Sequence, residues 1–218
     1  MTKVLDASDL NLEQVHRYLN FKNPVIADFT PLLTLDPLTE FEQQKLDEIG
    51  ENFWCYFREG RILEGEVKFL FLAPLMWLSG FYHPNIRITL EEGIATLEVQ
   101  DNDIQIKGRM DILAARRVQT DQTALWILLI ESKRTRFNVT EGLPQLLTYA
   151  YSCLDRQDAV WGLTTNGQSY QFVYIQKGNP PIYQLLPDLS LMRPDQTRQL
   201  LQVMKAICQL FRMNDMGR

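Results

Sequence analysis

The sequence predicts a mixed α/β protein, in which a central sheet of parallel and antiparallel strands is flanked by helices. Three observations carry that expectation. Segments of helical period bracket the chain, and segments of strict alternation fill much of 85–116 and 159–176. Between them, "ALWILLIESK" (124–133) is a continuous apolar run of the length of a strand covered on both faces, ending abruptly in Glu131, Ser132 and Lys133. Alternation of strands with helices in this order is the signature of a layered α/β arrangement.

The elements follow in order. "LNLEQVHRYL" (10–19) predicts a first helix. A second starts at Thr39, where "TEFE" places Glu42 three residues on, as in a capping box, and Leu46, Ile49, Phe53 and Phe57 recur at helical spacing. A break near Gly60 precedes a third helix over 64–79, opened by Glu64 and Glu66. "NIRITLEE", "ATLEVQ" and "IQIKGRMDILAAR" then alternate as strands, with turns at Gly93 and at Asp101-Asn102-Asp103. After the greasy strand, "EGLPQLLTYAYSCL" reads as a helix with Pro144 in its first turn. "AVWGLTTNGQSYQFVYIQ" reads as a hairpin turning at Asn166-Gly167, and "PDQTRQLLQVMKAICQLF" as a closing amphipathic helix. The organisation expected is a helical extension over 1–60 and one compact unit over 61–218.

Bulk composition narrows the function. The 218 residues are 45% hydrophobic and 11% aromatic, enough for a real core. A formal charge of −5 excludes non-specific coating of nucleic acid, so any such contact must be local. Cys55, Cys153 and Cys208 are odd in number and widely spaced, which gives neither a disulfide framework nor a zinc pattern and points to a reducing cytoplasm. "MTKVLDASDLNLEQ" lacks the apolar core of a signal peptide. The run "VKFLFLAPLMWLSGF" (67–81) is 15 residues long and holds Lys68 and Pro74. A bilayer span needs about 20 apolar residues, so a buried helix and no membrane are expected.

Chemistry concentrates at two strands. Glu131 and Lys133 lie two apart and share a face of an extended strand, and Asp111 lies in the alternating strand "GRMDILAAR". If those strands are neighbours, two carboxylates converge beside a lysine. Such a pair repels itself unless one member stays protonated or a hard cation joins it, and Mg²⁺ takes few protein carboxylates and leaves room for water and phosphate. A lysine there could orient water, help take its proton or stabilise charge on phosphorus. Set against this, a Glu-x-Lys at a strand end is commonly a solvated ion pair, and Asp111 alone is no more specific. His16 and His83 are isolated and read as structural, so no hydrolase triad has support.

The arrangement resembles the PD-(D/E)XK nuclease superfamily, with Asp111 as the isolated acid and "ESK" as the (D/E)XK element. It is most similar to the amino-terminal nuclease domain of type I restriction enzyme motor subunits. "PQLLTYAY" carries Gln145 and Tyr149 in the QxxxY spacing of one branch of that superfamily. "EGEVKFLFLAPLMWLSGFYHPNIRI" resembles its opening helix, and "GLTTNGQSYQFVYI" its Thr-Asn-Gly hairpin. The residue before Asp111 is Met110 rather than proline, and no Walker or helicase motif follows.

The resemblance implies a restriction-endonuclease-like core and a Mg²⁺-dependent deoxyribonuclease, with Mn²⁺ as a substitute. It is expected to act without its own motor, free-standing or recruited by other restriction-modification subunits. Asp111 and Glu131 would hold the ion, with the backbone carbonyl of Ile130 or Ser132 completing the shell. Lys133 would be the catalytic lysine, and Gln145 and Tyr149 would position it or the DNA backbone. Glu64 would be the acid of the opening helix, with Glu66 as the alternate. Among the basic residues Lys107, Arg109, Arg116, Arg117, Lys133, Arg134 and Arg136, the best candidates for phosphate contact are Arg134 and Arg136. A homodimer would offer two centres for two strands. The alternative is a nuclease fold serving as a DNA-binding or complex-forming module with weak or no catalysis. A carboxylate-pair glycosidase ranks behind both, since it gives Lys133 no role.

Overall fold

The computed structural model describes residues 2–22, 24–94, 96–99, 103–117, 125–135 and 137–213. Its frame is a seven-stranded mixed sheet in the order β2-β10-β9-β8-β7-β6-β3. The strands are β2 (Val25–Ile26), β3 (Ile86–Gly93), β6 (Arg109–Arg116), β7 (Trp126–Ser132), β8 (Ala159–Thr165), β9 (Ser169–Gln176) and β10 (Ile182–Ser190). A second, three-stranded sheet joins β1 (Lys3–Asp6), β5 (Ile104–Lys107) and β4 (Leu97–Val99) in the order β1-β5-β4.

The greasy run is β7, flanked by β6 on one side and β8 on the other. Its residues Ile127–Ser132 are all buried, which is why it lacks the alternation of a one-sided strand. Helix α5 (Leu143–Tyr151) links β7 to β8, and the two strands run parallel, as a helical crossover requires. With α1 (Leu12–Leu19) it builds one core, in which Leu146, Leu147 and Tyr149 meet Leu113, Leu129, Val160 and Val173. On the opposite face, α2 (Glu40–Glu59), the helical stretch 64–78 and α6 (Pro194–Met213) build the other core from Phe53, Phe71, Leu75, Ile130, Leu163, Phe172 and Leu200.

Local signals account for the ends of these elements. Thr39 and Glu42 form the expected capping box of α2, with Thr39 N–H donating to Glu42 Oε2 at 2.8 Å and Glu42 N–H to Thr39 Oγ1 at 3.2 Å. Gly167 turns the β8–β9 hairpin at φ +85°. The stretch 64–78 is helical throughout but not uniformly α. Between α3 (Glu64–Glu66) and α4 (Ala73–Leu78), residues Val67–Leu72 widen into a π segment, with Ala73 N–H donating to Lys68 O five residues back. Pro74, which has no N–H to continue an α ladder, follows at once.

Three features depart from the sequence expectation. Residues 104–116, read as one strand, are two strands in different sheets, divided at Gly108. A Cβ there would lie 2.8 Å from Tyr149 Cε1 and 2.8 Å from Ala7 Cβ, so the break is where two elements press on the backbone. Residues 1–60, read as helices, also supply β1, parallel to β5, and β2, parallel to β10. Both strands are short and mostly exposed, which leaves them no hydrophobic period to read. Strand β10 carries Pro187 and an irregular register between Leu185 and Asp188, features that weaken its strand signature. The turn expected at 101–103 lies largely outside the described residues. Among the described residues no helix is long and apolar enough to cross a membrane.

The close approach of α5 to the sheet depends on Gly162 in β8, where a Cβ would come within 2.6 Å of Leu146 Cδ2 and 3.2 Å of Ile175 Cδ1. Gly162→Ala is therefore expected to destabilise the protein by about 1–3 kcal/mol through overpacking, read as a lower denaturant midpoint at unchanged slope.

Candidate active site

Antiparallel pairing of β6 with β7 matches Ile112 to Ile130 and Leu113 to Leu129. One step beyond the Ile112–Ile130 pair, Asp111 and Glu131 come side by side, because residues opposite one another in such a ladder share a face. Both are buried, and Ser132 behind them is fully so. Ser132 fixes Asp111: its N–H donates to Asp111 Oδ2 at 2.7 Å and its hydroxyl to the same oxygen at 2.8 Å. Two donors on one carboxylate oxygen set the orientation of the Asp111 side chain.

Glu131 is held differently. Lys133 Nζ donates to Glu131 Oε1 at 2.8 Å, while Oε2 is buried without a hydrogen-bond partner. Burial first, then the Asp111 charge, push the Glu131 carboxyl up to about 8, and Lys133 offsets only part of that rise. Gly142, at the entry to α5, lets the backbone close over this residue, since a Cβ there would lie 3.1 Å from Glu131 Cγ and 3.2 Å from Thr164 Cγ2.

Lys133 belongs to a relay that returns to the first strand. Its ammonium also donates to Gln145 Oε1 at 2.9 Å; Gln145 Nε2 donates to Tyr149 OH at 2.6 Å; and the Tyr149 hydroxyl donates to Arg109 O at 2.8 Å. Gln145 and Tyr149, four apart on α5, thus tie the end of β7 to the start of β6. Tyr149 is 1% exposed, and burial raises its hydroxyl above the ordinary range.

The acids of the opening helix divide cleanly. Glu66 Oε2 accepts Leu63 N–H at 2.7 Å and serves its own helix start. Glu64 faces the centre through Lys68, whose ammonium lies 2.7 Å from Asp111 Oδ1, 3.1 Å from Glu64 Oε1 and 3.2 Å from Glu91 Oε1. Burial acts to lower the Lys68 pKa, but bonding to Asp111 and Glu64 outweighs it and the net shift is upward. Lys68 and Glu91 were not singled out by the sequence. The one sign of Lys68 is a lysine inside an otherwise apolar helix, four residues after Glu64. Glu91 gives no sign at all: it sits at φ +54° between the Leu90–Ile112 and Glu92–Met110 pairs of the β3–β6 ladder, whose register is unchanged across it. Left-handed backbone at a non-glycine residue is uncommon, and it marks an irregularity of the edge strand opposite Asp111.

The arrangement brings together Asp111, Glu131, Ser132, Lys133, Gln145 and Tyr149, with Glu64 joined through Lys68. Arg134 is exposed just beyond Lys133, and Arg136 lies outside the described residues. His16 Nε2 pairs with Tyr183 OH at 2.9 Å, tying α1 to β10, and His83 Nδ1 accepts Asn85 N–H at 3.2 Å within its own turn. Among the described residues no three His, Cys, Asp or Glu side chains form a ready-made metal-binding set. The oxygens of Asp111 and Glu131 are nonetheless hard donors, and the partnerless buried Glu131 Oε2 is the atom a hard cation would satisfy.

No family model matches the chain, and no curated protein matches it. Among solved structures it is similar to a fragment described as an HsdR subunit of a type I restriction enzyme from Vibrio vulnificus YJ016, at 18% identity and a TM-score of 0.39. The match covers 65% of this chain and 26% of that one. At that identity and TM-score the likeness assigns neither family nor function.

The buried carboxyl makes a prediction for the metal-free protein. Between the ordinary value of 4.5 and about 8, the folded chain keeps on Glu131 a proton that the unfolded chain has released. Stability contributed at this site therefore falls as pH rises through that window and is level below it. Glu131→Gln, which cannot ionise, is expected to match the parent near pH 4 and to exceed it by on the order of a few kcal/mol at pH 8, measured by urea unfolding in EDTA.

Proposed function

We propose that this chain is a divalent-metal-dependent deoxyribonuclease of restriction type, with a restriction-endonuclease-like core. The observation that carries the reading is the side-by-side burial of Asp111 and Glu131, one of whose oxygens is left without a partner, next to a lysine held in place by Gln145. Asp111 and Glu131 would hold Mg²⁺ or Mn²⁺, with the Ser132 or Ile130 carbonyl as a further donor. When bound, such an ion lowers the pKa of water and stabilises charge on a phosphoryl group.

The chain's own groups do the rest. Ser132 orients Asp111 through two hydrogen bonds. Lys133, fixed between Glu131 and Gln145, would bind a phosphate oxygen or take part in moving the proton of the attacking water. Tyr149 positions Gln145. Arg134 would bind backbone phosphate beyond the scissile bond, where contact fixes position without reading sequence. Recruitment by other restriction-modification subunits, or pairing of two copies to cut two strands, belongs to the same reading.

One observation favours the rival, a catalytically weak DNA-binding module: the Lys68 ammonium already takes up Asp111 Oδ1. On the nuclease reading Lys68 is a competitor that the ion must displace. Lys68→Met is then expected to bind Mn²⁺ roughly tenfold more tightly by calorimetry, since a contact charge is removed from the site. On the module reading neither protein binds the ion.

Plasmid nicking in Mg²⁺ or Mn²⁺, with EDTA as control, tests the activity itself. Asp111→Ala and Lys133→Ala are expected to lose roughly a hundredfold or more of the rate. Equal nicking by parent and variants would overturn the assignment, and absence of nicking by the parent would leave the binding module.

A further inference from the structure

An apolar groove of about 460 Å³ opens beside the carboxylate pair, with Asp111 and Lys68 in its lining. Glu91 joins them at that end, and the remaining wall is apolar, formed chiefly by Phe69, Met76, Tyr82, Ile88 and Leu90. Phe69 is 77% exposed, Leu90 64% and Tyr82 53%, so large apolar side chains stand in solvent beside Asp111 and Lys68. Past Tyr82 and Ile88, which line both, a second hollow of about 380 Å³ continues over Pro84 to Arg117 and His83. The two run along β3, the edge strand of the large sheet.

From these observations we infer that the groove receives an unpaired nucleobase of the substrate, a reading that rests on the proposed nuclease function and specifies its substrate as single-stranded or locally unpaired DNA. A phosphate placed at Asp111 has its own sugar and base within one nucleotide of the groove, so the occupant must be continuous with whatever binds the carboxylates. Away from Lys68, Glu91 and Asp111 the lining is hydrocarbon and aromatic ring, which offers nothing to a phosphodiester backbone but accepts the face of a base. Within a duplex those faces are covered by stacking, so Phe69 and Tyr82 gain contact only with a base that has left the stack.

Fluorescence anisotropy with a labelled twelve-nucleotide single strand, and with the same strand annealed to its complement, tests this on the full chain in Ca²⁺ at fixed salt. The parent is expected to bind the single strand at least fivefold more tightly than the duplex. Tyr82→Ala and Phe69→Ala should each weaken single-strand binding roughly tenfold, leaving duplex binding and the melting temperature unchanged, and Tyr82→Phe should retain affinity because the ring rather than the hydroxyl makes the contact. Equal affinity for both probes, or single-strand binding indifferent to Tyr82 and Phe69, would overturn the inference. Nicking that depends on Asp111 but not on the groove would remove the groove and leave the nuclease. Groove-dependent single-strand binding without metal-dependent nicking would remove the nuclease and leave the groove.

Discussion

Two carboxylates side by side in the interior are the constraint around which the rest of this molecule is arranged. Asp111 and Glu131 sit on adjacent strands, screened from water, where neither Coulomb repulsion nor desolvation is relieved by solvent. Each is treated differently. Asp111 receives the Ser132 amide and hydroxyl and the Lys68 ammonium, three donors to two oxygens. Glu131 receives one ammonium and keeps one oxygen bare. The asymmetry falls on Glu131, whose carboxyl is driven toward its protonated form by burial and by the neighbouring Asp111.

The scaffold supplies the rigidity such a pair needs. β7 is buried on both faces and lies inside the sheet, so its end cannot swing without disturbing two cores. The relay from Lys133 through Gln145 and Tyr149 to the Arg109 carbonyl closes a loop over β7, α5 and β6, and so fixes the lysine relative to both acids. Glycine makes this closeness attainable: at 108 and 162 a methyl group would collide with Tyr149 and Leu146, and at 142 it would press on Glu131. On the opposite side the π segment of Val67–Leu72 carries Lys68 to Asp111, a widened turn at the point where the helix meets the centre.

Much of this was legible in the chain. Thr39-x-x-Glu42, the Asn166-Gly167 turn, Pro144 at the start of α5 and the unbroken apolar run of β7 each have a local cause and each took the predicted form. The grouping of the candidate residues was legible because their spacing is local too: two apart for Glu131 and Lys133 on a strand, four apart for Gln145 and Tyr149 on a helix. Lys68, Glu91 and the break at Gly108 were not, because each takes its meaning from a partner more than twenty residues away in sequence. Lys68 reads as a blemish in an apolar helix until Asp111 is placed beside it, and Gly108 reads as a weak strand residue until Tyr149 is pressed against it.

The sequence by itself determined the helices, the buried strand and the β8–β9 hairpin, and the inventory of acids, lysine, glutamine and tyrosine, since periodicity and capping act over a few residues. Only the tertiary structure decided which of them meet. The antiparallel register of β6 on β7 placed Asp111 opposite Glu131, and a slip of one residue would have sent them to opposite faces. Packing of the helical stretch 64–78 then turned Glu66 to its own helix start, set Glu64 against Lys68 and brought Lys68 to Asp111 as the counter-charge. These are long-range choices set by sheet pairing and by the burial of charge, and neither leaves a local pattern in the chain.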